Sequence, residues 1–511
     1  MKQYIEKNKN ICYIKNSLSS TNKSIKGEKK MKQKKIVIGK SVVAIILVIS
    51  ILLAVQFATV VANKNNEIVG KIYFNKPVSW EQAYAYLCDE KGKELLGKWP
   101  GIELIKEEDY IHSFEVTSKI GNKIDECKVT FNNGDKYAVE EECQGYNKIY
   151  DLTSGIGEKN KRNSGKWLDY SENIKIGKIP ATESKIKNVI YMIGDGMGEN
   201  HISAGEIYKG EKLNIQNIKN KTQVKTASLS TVTDSAASAT ALATGYKTTN
   251  GAIGKDKNKN DVENLIEYSN RKNMKTGIVC TQILNHATPA AFSVHNTYRY
   301  NYDQIAASQI ESCLDLMLGG GRKYFSNYKS RIAHNNYKWV NQISELENVD
   351  KNERVIGTFA EDSISKENNR TNLSEMAEEA IARLENENGF FLMIEGSDID
   401  SYSHEQNMDK MLIEMIDFDD AVKVAMSYVD TNPDTLLIVT ADHETGGLKV
   451  DKSMHKEQLT NKLFTTTEHT ETNVALYAYG IGANDITEYD IIDNTSIYKF
   501  IKQGIDNNYK Q

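Results

Sequence analysis

Apolar runs that alternate with amphipathic segments constrain the fold of this chain more than any other feature. From Asn188 onward the runs NVIYMIG, GFFLMIEG and TLLIVTADH have the length and composition of strands, and segments such as DVENLIEYSNRKN and SEMAEEAIARLEN have helical periodicity. Continuously apolar strands are typical of a parallel sheet that is buried on both faces. Strands that alternate with helices are typical of a doubly wound fold. We therefore predict an α/β domain over residues 186–511, with helices on both faces of its sheet.

Acidic and histidine residues follow these strands. Asp195 comes directly after NVIYMIG, Glu395 comes directly after FFLMI, and Asp442 and His443 follow LLIVT with one residue between. In such sheets ligands bind beyond the carboxyl ends of the strands. One Asp at such a place is usually a helix cap, but several converging carboxylates repel one another unless cations neutralise them. Carboxylates mixed with imidazoles favour zinc-like metals, and carboxylates with hydroxyls suit magnesium, so this sheet edge is predicted to bind metals.

Six strings in this part of the chain resemble the successive signatures of the alkaline phosphatases, in the same order: VIYMIGDGMG, TVTDSAASATALATGYKTTNGAIG, NHATPAAFSVH, EGSDIDSYSH, TADHETGG and TEHT. The resemblance covers roughly residues 188–485. It implies hydrolysis of small phosphate monoesters through a phosphoserine on Ser235, with Arg299 as the residue that grips the phosphate. The resemblance is also compatible with a homodimer. The string AASATALATG after Ser235 reads as a helix, whose N-terminal N–H groups would favour a bound phosphate.

The resemblance also implies two zinc ions and one magnesium ion. The ligand positions it implies are, for the first zinc, Asp400, His404 and His469; for the second zinc, Asp195, Asp442, His443 and Ser235; and for the magnesium, Asp195, Thr288 and Glu395. Independently of the resemblance, the spacing of four between Asp400 and His404 places both side chains on one face of a helix.

Other residues of this region differ from the family pattern or fall outside it. His286 lies beside the magnesium site, at a position that is Asp in some relatives and His in others. Ser401 stands where bulkier or charged residues are common, and both differences leave the identity of the third metal open. Four further histidines match no ligand position and are interpreted as structural or surface residues: His201, His295, His334 and His455.

The segment from residue 65 to residue 153 has a different sequence pattern. Short β-rich runs, KIYFN, AYAYLC, HSFEV and CKVTFNNG, are separated by turn signals, which predicts a small all-β sandwich. The polar, lysine-rich residues 154–185 are predicted to be a linker. Residues 70–152 are similar to the family 26 starch-binding modules, which implies binding of an α-glucan on exposed aromatic rings. We expect Tyr84 and Tyr86, which share one face of a strand, and Trp99 to contact sugar, although such rings can also fill a sandwich core.

The N-terminal part predicts export or membrane insertion. Residues 1–40 form a basic N-terminal segment, and residues 41–62, SVVAIILVISILLAVQFATVVA, carry no charge. A basic flank before an apolar run of this length is typical of a signal peptide or a transmembrane signal anchor; a buried core helix is the alternative. We therefore expect an extracytoplasmic protein, either anchored to the cell membrane through residues 41–62 or secreted. The net charge of −5 gives no indication of a nucleic-acid partner.

Two other functions are disfavoured by the sequence. A phosphodiesterase or sulfatase of the same superfamily is disfavoured, because the sulfatase signature is missing and diesterases usually lack the pairing of Arg299 with Glu395. A carbohydrate-binding protein with a vestigial catalytic domain is disfavoured by the intact set of ligand positions.

Overall fold

The structure is a computed structural model that describes most of the C-terminal part of the chain and a set of shorter segments before it. The described residues are 68–75, 82–106, 111–117, 120, 124–134, 138–143, 148–151, 166–169, 180–364 and 371–509. The predicted basic segment 1–40 and the predicted signal or anchor 41–62 lie outside them. Among the described residues, no helix is both long and apolar enough to cross a membrane.

The described residues of the N-terminal module form two small sheets. Its strands are β1 (Ile68–Asn75), β2 (Tyr84–Asp89), β3 (Ile102–Glu103), β4 (Ile105–Lys106), β5 (Ile111–Thr117), β6 (Cys127–Asn132), β7 (Ala138–Glu142), β8 (Lys148–Asp151) and β9 (Lys166–Asp169). One sheet has the order β4-β5-β1-β8-β9 and the other the order β3-β2-β6-β7. All neighbours are antiparallel except β1 and β8, which are parallel.

The two sheets share one apolar core, as the alternating sequence pattern predicts. Phe74 of β1 and Phe131 of β6 stack with their ring centroids 4.3 Å apart. Phe114 and Leu87 are buried in the same cluster. Strand β9 lies within residues 154–185, the segment that we predicted to be a linker, and it pairs with β8. The module's sheet therefore continues into that segment, which the sparse apolar content of the segment did not reveal.

The C-terminal domain is built on one sheet of ten strands. Its strands are β10 (Asn188–Gly194), β11 (Asn220–Lys225), β12 (Lys275–Ile283), β13 (Leu316–Gly320), β14 (Tyr337–Val340), β15 (Arg354–Thr358), β16 (Phe390–Gly396), β17 (Thr435–Thr440), β20 (Val474–Gly480) and β21 (Ile491–Asp493), with the two-stranded ribbon of β18 (Glu444–Thr445) and β19 (His469–Thr470) beside it. The order across the sheet is β14-β15-β13-β12-β16-β10-β17-β20-β11-β21. The pairs from β14 to β17 are parallel, and β20 runs antiparallel to both β17 and β11.

Helices connect these strands and pack in two groups. They are α1 (Glu199–Lys209), α2 (Ser235–Thr244), α3 (Leu265–Arg271), α4 (Ala287–Ser293), α5 (Tyr302–Ile310), α6 (Arg322–Phe325), α7 (Lys329–His334), α8 (Leu373–Leu384), α9 (Asp398–His404), α10 (Met408–Thr431), α11 (Ala483–Ile486) and α12 (Asn494–Tyr509). In one group α10 packs against α1, α8 and α9; in the other α2 packs against α4 and α12. The predicted doubly wound α/β architecture is confirmed.

The centre of the sheet explains where the polar residues of this domain collect. All seven residues of β10 are buried, because parallel strands on both sides and helices above and below cover them. Strand β10 pairs in parallel with β16 on one side and with β17 on the other. The carboxyl ends of these three strands therefore meet at one edge of the sheet.

Candidate active site

Three neighbouring strands deliver buried acidic groups to this edge. Asp195 follows β10 directly, Glu395 is the sixth residue of β16, and Asp442 and His443 follow β17. The side chains of all four are fully buried. Both carboxylate oxygens of Asp195 and of Glu395, and Oδ2 of Asp442, have no hydrogen-bond partner among the described residues. Buried carboxylates without partners are strongly unfavourable unless protons or cations neutralise them.

The Nε2 atom of His443 lies at the centre of the first group of candidate ligands. It is 3.2 Å from Ser235 Oγ, 3.2 Å from Asp442 Oδ2 and 3.5 Å from Asp195 Oδ1. Burial, with His469 nearby, holds the pKa of His443 well below its ordinary value, so the ring is neutral. Its Nδ1 atom is 3.2 Å from the hydroxyl of Thr445. A tautomer with the proton on Nδ1 satisfies that contact and leaves the lone pair of Nε2 facing the two carboxylates, an arrangement that fits a metal cation.

A second group joins helix α9 to strand β19. Asp400 Oδ1 is 3.3 Å from His404 Nε2 and 3.5 Å from His469 Nε2, and the two Nε2 atoms are 3.0 Å apart. The Nδ1 atom of His404 contacts the carbonyl of Thr467, and that of His469 contacts the carbonyl of Thr233. Because a carbonyl can only accept, each Nδ1 carries a proton, and two Nε2 atoms are directed at one carboxylate.

This second group favours positive charge. The hydrogen bond to Asp400 raises the pKa of His404 to about 9. Burial opposes ionisation of Asp400, but the contacts with His404 and His469 hold its pKa well below the ordinary value. Asp400, His469 and His443 also offer one ligand atom each within 4.8 Å of one another, so the two groups are adjacent.

A third group shares Asp195 with the first group. Ligand atoms of Asp195, Glu395 and His286 lie within 4.8 Å of one another. Burial raises the pKa of Glu395 to about 8, and Asp442 adds to this rise, whereas Thr288 and Ser397 oppose it. Burial, followed by Asp442, raises the pKa of Asp195 well above its ordinary value. The unpartnered oxygens of this group and the imidazoles of the other two groups fit metal cations.

Helix α2 positions Ser235 beside the first group. Ser235 is the first residue of the helix, and Asp234 caps it by accepting a hydrogen bond from the N–H of Ala237 at 2.9 Å. The alanine-rich sequence SAASATALAT favours a helix, and every residue of α2 is buried, which holds its N-terminus in place. The free N–H groups and the dipole of a helix N-terminus favour a bound anion.

Arg299 borders the same pocket. Its guanidinium lies 3.1 Å from Asp234 Oδ2 and 3.4 Å from His286 Nε2. Burial disfavours its charge, but Asp234 outweighs burial and raises the pKa of Arg299 above its ordinary value. Its Nε atom is buried and has no hydrogen-bond partner in the part of the chain that the structure describes. A fixed and charged guanidinium with unused donors is suited to phosphate oxygens.

The structure thus brings together all ten predicted residues of the phosphatase site, and it places His286 among the ligand atoms of the third group rather than only beside it. Sequence reasoning missed Asp234 and Thr445. Asp234 immediately precedes the helix that begins at Ser235, so its role as the helix cap can be predicted from the sequence. Its contact with Arg299 cannot be predicted in this way. Thr445 donates to Asp400 and contacts His443, which nothing in the local pattern indicates.

Of the four histidines interpreted as structural or surface residues, His201 is buried against Ser403, His295 pairs with Glu267, and His334 and His455 are exposed.

The module has an aromatic surface of its own. Ala83, Ala85 and Leu87 point into the sandwich core, so Tyr84 and Tyr86 lie on the opposite face of β2. Trp99 is 50% exposed, and its ring meets that of Tyr86 nearly edge-on with the centroids 5.7 Å apart. The two predicted strand tyrosines and the loop tryptophan therefore stay outside the core.

Comparisons with known proteins agree with this geometry. The family described as alkaline phosphatase matches residues 186–462, and the family described as starch-binding module 26 matches residues 72–141. Alkaline phosphatase 4 of Bacillus subtilis is 38% identical over 306 residues, covering 54% of this chain and 66% of the relative. Alkaline phosphatase H of Pseudomonas aeruginosa is 30% identical over 411 residues, covering 63% of this chain and 86% of the relative.

The structural comparison gives the same result. The solved alkaline phosphatase of the Antarctic bacterium TAB5 has a TM-score of 0.58 and 32% identity, with 64% of this chain and 99% of that chain covered. The chain covers just under two thirds of the length of the Bacillus relatives, 66% and 63% for alkaline phosphatases 4 and 3. With a family match over more than half of its residues, the chain belongs to the alkaline phosphatase family.

Proposed function

We propose that this chain hydrolyses phosphate monoesters, with Ser235 as the nucleophile that transiently carries the phosphoryl group. The observation that carries the proposal is the position of Ser235 Oγ at a helix N-terminus, 3.2 Å from His443 Nε2 and beside two buried carboxylates. A hydroxyl among candidate metal ligands is the arrangement expected of an activated serine.

The chain's own residues account for binding and for both chemical steps. Arg299 and the N-terminus of α2 hold the phosphate, and Asp234 keeps the guanidinium oriented. Ser235 Oγ forms a bond to phosphorus while the ester P–O bond breaks, and the leaving oxygen takes up a proton as the alcohol. Water then attacks the phosphoserine, releases inorganic phosphate and returns the hydroxyl of Ser235.

Members of this family depend on metals, and a variant of the TAB5 enzyme is described with Mg bound in its M3 site. We assign one zinc to Asp400, His404 and His469, and a second zinc to Asp195, Asp442, His443 and Ser235. The magnesium is assigned to Asp195, Thr288 and Glu395, with His286 beside them. When bound, such cations supply Lewis-acid stabilisation of the charge on the attacking and leaving oxygens.

The remaining parts of the chain suggest where the enzyme works. We assign binding of an α-glucan to the module at 65–153 through Tyr84, Tyr86 and Trp99, because the module belongs to a starch-binding family over residues 72–141. We also place the enzyme outside the cytoplasm, since the apolar residues 41–62 follow a basic segment. A homodimer stays a prediction.

Replacing Arg299 with alanine is expected to weaken the binding of phosphate. The loss of charged hydrogen bonds costs about 1.5–3 kcal/mol, which raises the inhibition constant of inorganic phosphate by roughly 10-fold to 150-fold. The matched control is Arg271→Ala, because Arg271 is an exposed residue that pairs with Glu263 outside the site. An Arg299→Ala enzyme with the inhibition constant of the wild type would place Arg299 outside the phosphate site.

Replacing Trp99 with alanine is expected to reduce retention of the full chain on insoluble starch. An aromatic contact contributes roughly 1 kcal/mol beyond its buried area, so retention should fall severalfold and be measurable in a pull-down with starch granules. The control is Ile105→Ala, since Ile105 is an equally exposed apolar residue of the module, at 55%. Equal loss in both variants would show that Trp99 has no specific role.

A further inference from the structure

A row of tyrosines begins beside Arg299. Tyr298 and Tyr300 are 51% and 55% exposed, and their rings meet edge to face with the centroids 5.2 Å apart. The ring centroid of Tyr300 lies 5.4 Å from the guanidinium carbon of Arg299. Tyr302 and Tyr324 continue the row at centroid distances of 6.0 and 5.4 Å. The rim of the phosphate pocket therefore carries two large rings that the fold does not cover.

Hydrogen bonds hold the backbone segment that carries these exposed rings. The N–H of Arg299 donates to the carbonyl of Gly251 at 2.8 Å, and the N–H of Asn301 donates to the carbonyl of Tyr298 at 3.1 Å. Asn296 Oδ1 accepts from the N–H of Tyr298 at 3.0 Å and from the side chain of Asn301 at 2.9 Å. Because the segment is tied on both sides of Arg299, the backbone that carries the two rings is preorganised, which reduces the entropic cost of binding a ligand.

The module presents an aromatic pair of the same kind. Tyr86 and Trp99 also meet nearly edge to face, with a centroid distance of 5.7 Å, and Trp99 is half exposed. This pair lies in the part of the chain that matches a starch-binding family. Exposed tyrosine and tryptophan rings combine an apolar face with a polar atom, which suits the C–H faces and hydroxyls of a sugar ring.

The chain keeps the two aromatic surfaces within a bounded distance. Ten residues, 170–179, separate the end of β9 at Asp169 from Pro180, the first described residue of the phosphatase domain. Even fully extended, this segment spans at most about 40 Å. A polymer held by the module is therefore kept near the phosphatase site, which raises its effective concentration there.

We propose that the substrates of this site are phosphate monoesters of α-glucans. The module holds the polymer, and the glucosyl ring that carries the phosphate lies on Tyr298 and Tyr300 while Arg299 holds the phosphate itself. The bond between phosphorus and the sugar oxygen breaks, water supplies the oxygen of the released phosphate, and the sugar regains its hydroxyl. This inference rests on the proposed phosphomonoesterase activity and names its substrate class.

The test compares the full chain on two substrates: starch granules that carry glucose 6-phosphate groups, and glycerol phosphate, which has no ring. Inorganic phosphate release is measured for both, and the ratio of the two kcat/KM values is the readout. We expect Trp99→Ala and Tyr300→Ala each to lower this ratio by about twofold to tenfold, as loss of one aromatic contact implies. Two controls, Ile105→Ala in the module and Tyr246→Ala, should leave the ratio unchanged; Tyr246 is 53% exposed but lines a separate cavity with Lys499 and Lys502.

The outcomes separate this inference from the proposed function. Wild-type protein that hydrolyses neither substrate overturns both. Wild-type protein that hydrolyses glycerol phosphate while either Trp99→Ala or Tyr300→Ala keeps the wild-type ratio overturns the glucan inference alone. If Tyr300→Ala lowers kcat/KM for adenosine monophosphate, relative to glycerol phosphate, as much as it lowers kcat/KM for the starch phosphate groups, the rim accepts rings of different kinds, and the assignment to glucans fails.

Discussion

Turnover of p-nitrophenyl phosphate is expected to fall by at least about 10³-fold in Ser235→Ala, because the change removes the hydroxyl that lies 3.2 Å from His443 Nε2 for attack on phosphorus. Ser235 is buried at the start of α2, and alanine is a good helix former, so the helix and its cap at Asp234 should persist. The carboxylates and imidazoles around it are unchanged. The variant should therefore keep most of its metal while it loses the covalent route.

Two measurements check this expectation. Elemental analysis of the variant should still detect bound metal, and mass spectrometry after acid quenching should find phosphoserine in the wild type and none in Ser235→Ala. The control is Ser427→Ala, which changes an exposed serine on α10. Wild-type turnover in Ser235→Ala would mean that another group is the nucleophile.

The sheet edge could be predicted from the sequence because its determinants are local. NVIYMIG and TLLIVT are apolar runs without interruption, and the structure makes them β10 and β17 almost residue for residue. Once adjacent strands are parallel, their last residues must meet, so Asp195 and Asp442 are brought together by topology alone. The i to i+4 spacing of Asp400 and His404 is equally local, and both lie on α9.

Long-range contacts between side chains could not be predicted in the same way. Thr445 joins Asp400 to His443 only because β18 folds back over α9. Likewise, Arg299 reaches Asp234 across 65 residues of chain. Asp400 and Thr445 are 45 residues apart, and Asp234 and Arg299 are 65 residues apart. Because these separations are large and the residue types are common, no periodicity or spacing in the sequence predicts the two contacts.

In the module, too, local features could be predicted from the sequence and long-range contacts could not. Alternation on β2 correctly separates the core-facing Ala85 from Tyr84 and Tyr86. The contact of Tyr86 with Trp99 depends on how the loop after β2 closes, and the addition of β9 to the sheet depends on pairing with a strand 15 residues earlier in the chain. Neither can be inferred from a single strand's pattern.

Removal of metal is expected to abolish turnover altogether and to destabilise the phosphatase domain. Among the described residues, Asp195, Glu395 and Asp442 together leave five carboxylate oxygens buried without a hydrogen-bond partner. These groups repel one another unless cations lie between them. Because bound cations stabilise the folded state in proportion to the logarithm of their concentration over Kd, their removal should lower Tm as well as activity.

Dialysis against EDTA, with parallel dialysis in the same buffer without chelator as the control, tests both effects. Activity towards p-nitrophenyl phosphate should disappear as metal content falls, and addition of zinc and magnesium together should restore both turnover and Tm. The change in Tm is informative by itself, because it reports on the buried carboxylates even in Ser235→Ala, where turnover is already lost. Full turnover in protein shown to contain no metal would overturn the assignment, since the carboxylates and imidazoles gathered at the ends of β10, β16 and β17 would then have no cation to bind.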